Sequence, residues 1–304
     1  MDYLIKTVNN KKGEKILLYD VIIIGAGPAG ISASLYTKRG NIKTLVLYED
    51  ESSLEKTDKI ENYYGFKKGI SGKELYQNGI EQAKNIGVEI KKEEVIKIEM
   101  LINEFAIKTS TAEYKSKVVI LATGNKKNKP KITGIEKFEG KGVSYCAVCD
   151  GFFYRNRSVS VLGSGDYAIS ETNDLINIAK DITILTNGDE APEFRADNVK
   201  IDTRQIKEIH GKDKIEHIEF EDGTNLDIDG IFVAQGVAGS SEFAKKLGAI
   251  TKKDKIVVNE KMETNVKGLY ACGDCTGGIL QISKAVYEGT VAGLQAIKYI
   301  KMGG

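Results

Sequence analysis

Tryptophan is missing from the 304 residues, proline occurs three times, histidine twice and cysteine four times. Four thiols in so long a chain are too few for a disulfide framework, and two histidines leave little material for a nitrogen-rich metal centre. Neither sign of charge is in excess: 44 Lys and Arg face 43 Asp and Glu, a formal net charge of +1. Without a basic or acidic block, neither nucleic acid nor an anionic membrane surface is an expected partner. Long apolar runs are also missing. Those at 21–24 and 118–122 fall far short of the ~20 residues of a membrane span. The first nineteen residues carry Lys6, Lys11, Lys12, Glu14 and Lys15 and no continuous apolar stretch, which is not the pattern of a secretory signal. A cytoplasmic protein is expected.

Glycine, by contrast, is plentiful at 32 residues. With so few prolines beside them, these glycines point to tight turns against nucleotides rather than to linkers. Tyr19-Asp20-Val21-Ile22-Ile23-Ile24 is a β-branched run that leads directly into Gly25-Ala26-Gly27-Pro28-Ala29-Gly30 and then a helical pattern. In such a G-x-G-x-x-G turn the first glycine permits the tight bend. The second lets the backbone approach a pyrophosphate, and the third lets helix and strand pack closely. The helix N-terminus then offers free N–H groups to phosphate. About 140 residues later the plan returns: a strand at 158–162, then Gly163-Ser164-Gly165-Asp166-Tyr167-Ala168, a helix, and a strand at 181–185.

The chain therefore reads as α/β, a duplicated Rossmann-type plan. Between the copies, a strand at 117–121 runs into Ala122-Thr123-Gly124, and the Lys-rich stretch 125–131 with Pro130 is an exposed crossover. The small-residue turn 236–241 is a second crossover, after which the chain returns to the first domain. A last strand ends in Cys272-Gly273-Asp274, and an apolar-periodic helix covers 281–300. An acid on such a turn can bind ribityl or ribose hydroxyls.

All four cysteines fall into Cys-x-x-Cys pairs. Cys146 and Cys149 can close a small disulfide ring, and a helix N-terminus lowers a thiol's pKa so that one of them can attack another disulfide. Asp150 stands next to them as a proton donor for the departing thiolate. A zinc knuckle built with Cys272 and Cys275 is the alternative, but 122 residues separate Cys149 from Cys272, against ~15–20 in a zinc ribbon. No metal is expected.

Together with Ile60-Glu61-Asn62-Tyr63 and Gly142-Val143-Ser144-Tyr145-Cys146-Ala147-Val148-Cys149-Asp150-Gly151-Phe152-Phe153-Tyr154, these motifs resemble the low-molecular-weight thioredoxin reductases over nearly the whole chain. The resemblance implies two Rossmann-like, three-layer ββα dinucleotide-binding domains, the second inserted in the first: a discontinuous FAD domain (1–124 and 239–304) and an NAD(P)-type domain (125–238) carrying the disulfide, in a homodimer. It implies FAD contacts at Gly25, Gly27, Pro28, Ala29, Gly30, Glu49, Asn62, Ala122, Thr123, Gly124, Gly273, Asp274, Gln281 and Ile282. A nicotinamide dinucleotide, NADH or NADPH, would lie on Gly163, Gly165 and Ala168. Cys149 would face the flavin, Cys146 would attack the disulfide of thioredoxin or a related small protein, and Asp150 would be the acid.

Several positions depart from that family. Its arginine-rich clamp for the NADPH 2′-phosphate is replaced by Thr186-Asn187-Gly188-Asp189-Glu190, which cannot make a bidentate Arg site. Asp189 and Glu190 either form a solvated turn or accept hydrogen bonds from a free ribose, as in NADH selection. Glu51-Ser52-Ser53-Leu54 replaces Gly-Gly-Gln, Tyr64 replaces Pro, Leu280-Gln281 replaces Arg-Gln, and Tyr48 precedes Glu49 at the ribose acid. Residues 262–265 and 273–277 look similar to clostridial flavoproteins that lack the clamp and take electrons from ferredoxin. The expected donor is thus ferredoxin or NADH. A flavin-bound redox sensor without turnover is the alternative function, whereas a ferredoxin–NADP reductase would need no Cys146/Cys149 pair. His210 and His217 are expected on the surface, the runs 89–94 and 252–255 on solvated faces, and Tyr63-Tyr64 and Phe152-Phe153-Tyr154 over a flavin ring or in a core.

Overall fold

The structure is a computed structural model that describes residues 7–9, 15–49, 52–124, 130–236 and 239–303. It divides into two units, Met1–Lys126 with Gly239–Gly304, and Lys127–Ala238. Most of the first crossover (125–129) and the centre of the second (237–238) lie outside the described residues, as do 1–6 and 10–14 of the N-terminal stretch.

In the first unit β1 (Thr7–Asn9) pairs antiparallel with the start of β2 (Lys15–Ile24). Strand β2 begins four residues before the expected Tyr19, because its first half finds partners in β1 and in the beginning of β7. Helix α1 (Pro28–Arg39) leads to β3 (Thr44–Tyr48), and α2 (Gly72–Asn85) to β4 (Glu89–Lys92). An antiparallel meander follows: β5 (Val95–Met100), β6 (Phe105–Thr109) and β7 (Glu113–Leu121). Strand β7 pairs along its length with β2, from Ile16↔Glu113 to Ile24↔Leu121. Its last four residues are fully buried, as parallel strands covered on both faces must be.

The run at 89–94 is not the solvated face its charges suggested. Glu89–Lys92 is the outer parallel strand of the sheet, in register with Leu45–Tyr48 of β3. Two carboxylates of the run accept from phenols: Tyr19 donates to Glu89 at 2.7 Å, and Tyr114 donates to Glu93, just past the strand, at 2.8 Å. Charged residues on an edge also discourage further strand addition.

The second unit contains β8 (Val143–Ser144), the one-turn α3 (Ala147–Asp150), β9 (Ser158–Leu162), α4 (Asp166–Leu175), β10 (Asp181–Leu185) and β11 (Val199–Asp202). A meander of β12 (Ile206–His210), β13 (His217–Phe220) and β14 (Asn225–Asp227) precedes β15 (Gly230–Val233). Its five parallel strands run β11-β10-β9-β15-β8. His210 and His217 are directly opposed across the meander, rings 5.0 Å apart and stacked, and His210 contacts Glu219 at 2.9 Å. Both are half-buried, more ordered by their neighbours than simple surface residues.

Returning to the first unit, the chain forms α5 (Ser240–Lys246), the tight hairpin β16 (Thr251–Lys252) and β17 (Lys255–Ile256), then β18 (Leu269–Ala271) and α6 (Ile282–Lys301). Strand β18 lies parallel to β7, giving the parallel order β4-β3-β2-β7-β18. The two units thus repeat one five-strand plan, with an outlying meander in each. The fifth position is taken by β18 in the first unit and by β8 in the second. Each Cys-x-x-Cys pair follows that fifth strand, a correspondence hidden in the sequence because β18 is the last strand of its unit and β8 the first.

Helices α1 and α6 pack almost backbone to backbone. A Cβ at Gly289 would meet the Ala29 carbonyl oxygen at 2.1 Å, and one at Gly293 would meet the Ala33 oxygen at 2.7 Å. Because main chain cannot yield as a side chain does, Gly289→Ala is expected to cost about 1–3 kcal/mol, the range of core overpacking. Thermal unfolding should then show a midpoint several degrees lower; an unchanged midpoint would contradict this packing.

Candidate active site

The first glycine turn is built as its spacing predicted. Gly25 has φ +112° and a Cβ there would sit 2.4 Å from the Ala122 carbonyl oxygen, while a Cβ on Gly30 would fall 1.9 Å from the Gly25 oxygen. Gly27 has ordinary extended dihedrals and ample room on the protein side. It caps α1 without a side-chain hydrogen bond, Pro28 opens the helix and no acid lies in its first turn. The free N–H groups of that turn suit an anion. Glu49 lies half-buried just past β3, where a Rossmann acid reaches a ribose.

Two distant segments complete this cradle. Ala122 donates its N–H to Ile24 O at 2.8 Å, and the Thr123 hydroxyl sits 2.8 Å from the Ser240 hydroxyl, with Ser240 N donating back to it. The return of the chain is thereby fastened to Ala122-Thr123-Gly124. Gly273 has φ +84°, and a Cβ there would come within 2.9 Å of Ala29 Cβ, so the Gly273-Asp274 turn rests on the first turn of α1. Glu288, almost fully buried, accepts from Gly273 N at 2.8 Å and from the Thr276 hydroxyl at 3.0 Å. Lys284 pairs with Glu288 at 3.0 Å and donates to Gly273 O at 2.8 Å. Asn62 donates to Gln281, the cap residue of α6 that Ile282 begins, at 3.1 Å across 219 positions of sequence. Phosphate-seeking N–H groups, a Gly-Asp turn and a close-packed glycine cradle fit an extended dinucleotide such as FAD.

Cys272 and Cys275 are buried free thiols behind that turn. Desolvation pushes both up, Cys275 to about 11 and Cys272 well above the usual thiol range. They remain protonated at neutral pH and act as small buried fillers.

In the second unit Gly163 has φ +151°, and a Cβ there would sit 2.3 Å from the Ala234 oxygen and 3.0 Å from Ala168 Cβ. Gly165 caps α4 with open space around it. Asn187 and Gly188 turn the chain with positive φ, and this returns Asp189 to the glycine turn, where the Ser164 hydroxyl donates to it at 2.9 Å. The turn is solvated, and its carboxylate also stands at the fingerprint. Arg157 and Arg204 are held by Asp229 and Asp202, and Arg195 is exposed.

Cys146 and Cys149 form a disulfide. Cys146 is 4% exposed and caps α3, its sulfur accepting from Cys149 N at 3.2 Å; the Cys149 side is solvent-accessible. Ser144, at the end of β8, donates to Asp150 Oδ2 at 2.6 Å and accepts from Cys146 N at 3.1 Å. It ties the expected acid to the disulfide. Phe152 and Phe153 are about 70% exposed, which excludes a core role for them, whereas Tyr154 packs edge-on against Phe232 at 5.3 Å. Tyr64 is exposed, and Tyr63 stacks on Phe66. Sequence reading missed Ser144, Ser240, Lys284 and Glu288, single polar residues with no motif signal beyond their place beside one.

A family model described as pyridine nucleotide-disulphide oxidoreductase matches residues 19–289. Thioredoxin reductase of Bacillus subtilis (strain 168) is 34% identical over 302 residues, covering 93% of this chain and 95% of that protein. Among solved structures, the atypical thioredoxin reductase TRi from Desulfovibrio vulgaris Hildenborough is 37% identical, with a TM-score of 0.83 over 94% of this chain and 99% of that one. A ferredoxin-flavin thioredoxin reductase from Clostridium acetobutylicum is 34% identical, with a TM-score of 0.65 over 94% and 99%. Glycine cradle, redox disulfide and these likenesses agree: the chain belongs to the pyridine nucleotide-disulphide oxidoreductase family, as a thioredoxin reductase-like flavin disulfide oxidoreductase.

Proposed function

We propose that this protein is an FAD-dependent reductase of thioredoxin or a thioredoxin-like protein, a cytoplasmic homodimer whose electron donor is NADH or ferredoxin and not NADPH. Among the described residues no helix is long and apolar enough to cross a membrane. The observation that carries the donor reading is the Asp189 carboxylate held at the second glycine turn by Ser164. It favours a free ribose over a phosphorylated one. The name of the Clostridium acetobutylicum relative keeps ferredoxin beside NADH.

Bound FAD supplies the electron pair that opens the disulfide. The N–H groups at the start of α1 would hold its pyrophosphate, and Glu49 and Asp274 its hydroxyls. Cys149, the accessible sulfur, would receive that electron pair, and Cys146 would be released as a thiolate. Cys146 then attacks the partner disulfide to give a mixed disulfide, and Asp150, oriented by Ser144, gives a proton to the departing thiolate. Cys149 attacks Cys146 Sγ, which releases the reduced partner and re-forms the Cys146–Cys149 bond.

Purified protein should be yellow and should reduce many equivalents of thioredoxin disulfide per flavin when supplied anaerobically with its donor. A single stoichiometric reduction followed by arrest would identify a redox sensor instead. Colourless protein that cannot be reconstituted with FAD would remove both readings.

A further inference from the structure

Behind the disulfide lies an ionisable side chain with no part in the reaction described so far. Glu171, in the middle of α4, is 1% exposed, and its Oε2 accepts from the backbone N–H of Ala147 at 2.7 Å. Ala147 directly follows Cys146 and opens the redox helix. On the other side, the N–H of Cys146 itself is taken by Ser144. Two consecutive N–H groups flanking the Cys146 Cα are thus bound to side-chain oxygens, and the Cys146 sulfur is left with the N–H of Cys149.

That arrangement bears on the leaving group. A cysteine at a helix N-cap ordinarily has a depressed pKa, because free N–H groups and the helix dipole stabilise its thiolate. Here the Glu171 carboxyl, 1% exposed, occupies one of those donors, and in its ionised form it places a negative charge beside the thiol. Like charge disfavours a second anion close by. We propose that Glu171 is a positioning residue that fixes the Cys146 end of the redox helix and keeps the Cys146 thiol from becoming strongly acidic, so that it stays a potent nucleophile once released. The benefit is chemical: thiolate nucleophilicity falls as thiol pKa falls, and the best attacking thiol has a pKa near ambient pH. The inference rests on the disulfide reductase reading, and its test uses a small reductant so that the two can fail separately.

The step probed is balanced without the flavin. One thiolate of dithiothreitol bonds to Cys149 Sγ, the Cys146–Cys149 bond breaks, and its electron pair leaves on Cys146. The second dithiothreitol thiol then displaces Cys149 and closes the oxidised ring. The other ionisable groups around the helix and α4 are Tyr145 just before Cys146, Asp150 on the redox helix, Tyr154 in the turn after it, Asp166, Tyr167 and Asp174 on α4, and Asp181 on β10, which packs against α4. Glu171→Gln leaves all of them in place and keeps an oxygen for the Ala147 N–H.

In the full-length holoenzyme, the pH midpoint of Cys146 alkylation after reduction is followed by peptide mass spectrometry, together with the rate of disulfide opening by dithiothreitol. Wild type is expected to show a midpoint between ~7 and the ordinary thiol value of ~8.5, and Glu171→Gln a midpoint lower by ~1 unit with opening ~3–10-fold faster. Glu171→Asp, which keeps the charge, should stay near wild type. A wild-type midpoint below ~7, the range of an activated N-cap cysteine, would overturn the proposal even if no variant folds. So would a Gln variant whose midpoint and rate match wild type, or Asp and Gln variants altered alike.

Discussion

Replacing Cys146 or Cys149 with serine should lower thioredoxin turnover by ~10³-fold or more, the scale on which a covalent catalytic group is lost, while Cys272→Ala and Cys275→Ser stay within about twofold of wild type. The two pairs occupy the same place in the repeated plan, so the contrast comes from surroundings. Cys149 is accessible and joined to Cys146. Cys272 and Cys275 are 0% and 3% exposed, and burial raises the pKa of both well above neutral, so both stay protonated thiols. With both members buried and neutral, the second pair presents no sulfur to a partner, whereas the Cys146–Cys149 disulfide can be opened at its exposed Cys149. Cys275 already donates to Cys272 O at 3.2 Å, a contact a serine hydroxyl can keep. Steady-state assays of the four single variants decide the matter. Comparable losses at all four positions would reveal a relay through the second pair.

NADPH should reduce this protein far more slowly than NADH at equal concentration, by ~10²–10⁴ in apparent affinity. A 2′-phosphate carries nearly two charges and is usually gripped by paired guanidinium groups, each charge-assisted bond worth roughly 1.5–3 kcal/mol. In the second unit Arg157 and Arg204 are engaged by carboxylates, and the turn after β10 offers Asp189 instead. A carboxylate close to a phosphate adds repulsion, which salt will partly screen. The measurement is anaerobic bleaching of flavin absorbance with NADH, NADPH or reduced ferredoxin, each alone. Rapid bleaching by micromolar NADPH would refute the assignment. Bleaching by ferredoxin alone would assign the donor to the protein and leave the second glycine turn as scaffold. Asp189→Ser is expected to narrow the gap between the nucleotides without abolishing thioredoxin reduction from a chemical donor.

Much of this was legible in the residues. Gly25 and Gly30 could be placed because tight turns against strands demand glycine whatever lies around them, and the Cys146/Cys149 pair because two thiols at that spacing have few other uses. Helix α6 lies within one residue of its expected bounds, since its apolar period is unbroken. Other features depend on partners far away in sequence. Glu89–Lys92 reads as a charged surface until Tyr19 and Tyr114 supply hydroxyls. Asp189 could be a bystander or a ribose acid, and only the fold of 186–188 brings it to Ser164. Glu288 and Glu171 carry no local signal at all, because the donors they satisfy are backbone N–H groups on other elements.

The split origin of the fifth strand sets an order of events on the ribosome. All five parallel strands of the second unit have been made once residue 233 is synthesised, and they can pair as they emerge. The first unit has by then made β4, β3, β2 and β7, but the outer edge of Val119, Ile120 and Leu121 awaits β18, well over a hundred residues downstream. Non-local pairing of this kind is slow, and an unpaired apolar edge is prone to associate wrongly. The nascent chain therefore holds its cofactor half open while the disulfide-bearing half matures, and the glycine cradle closes only when Leu269–Ala271 arrives.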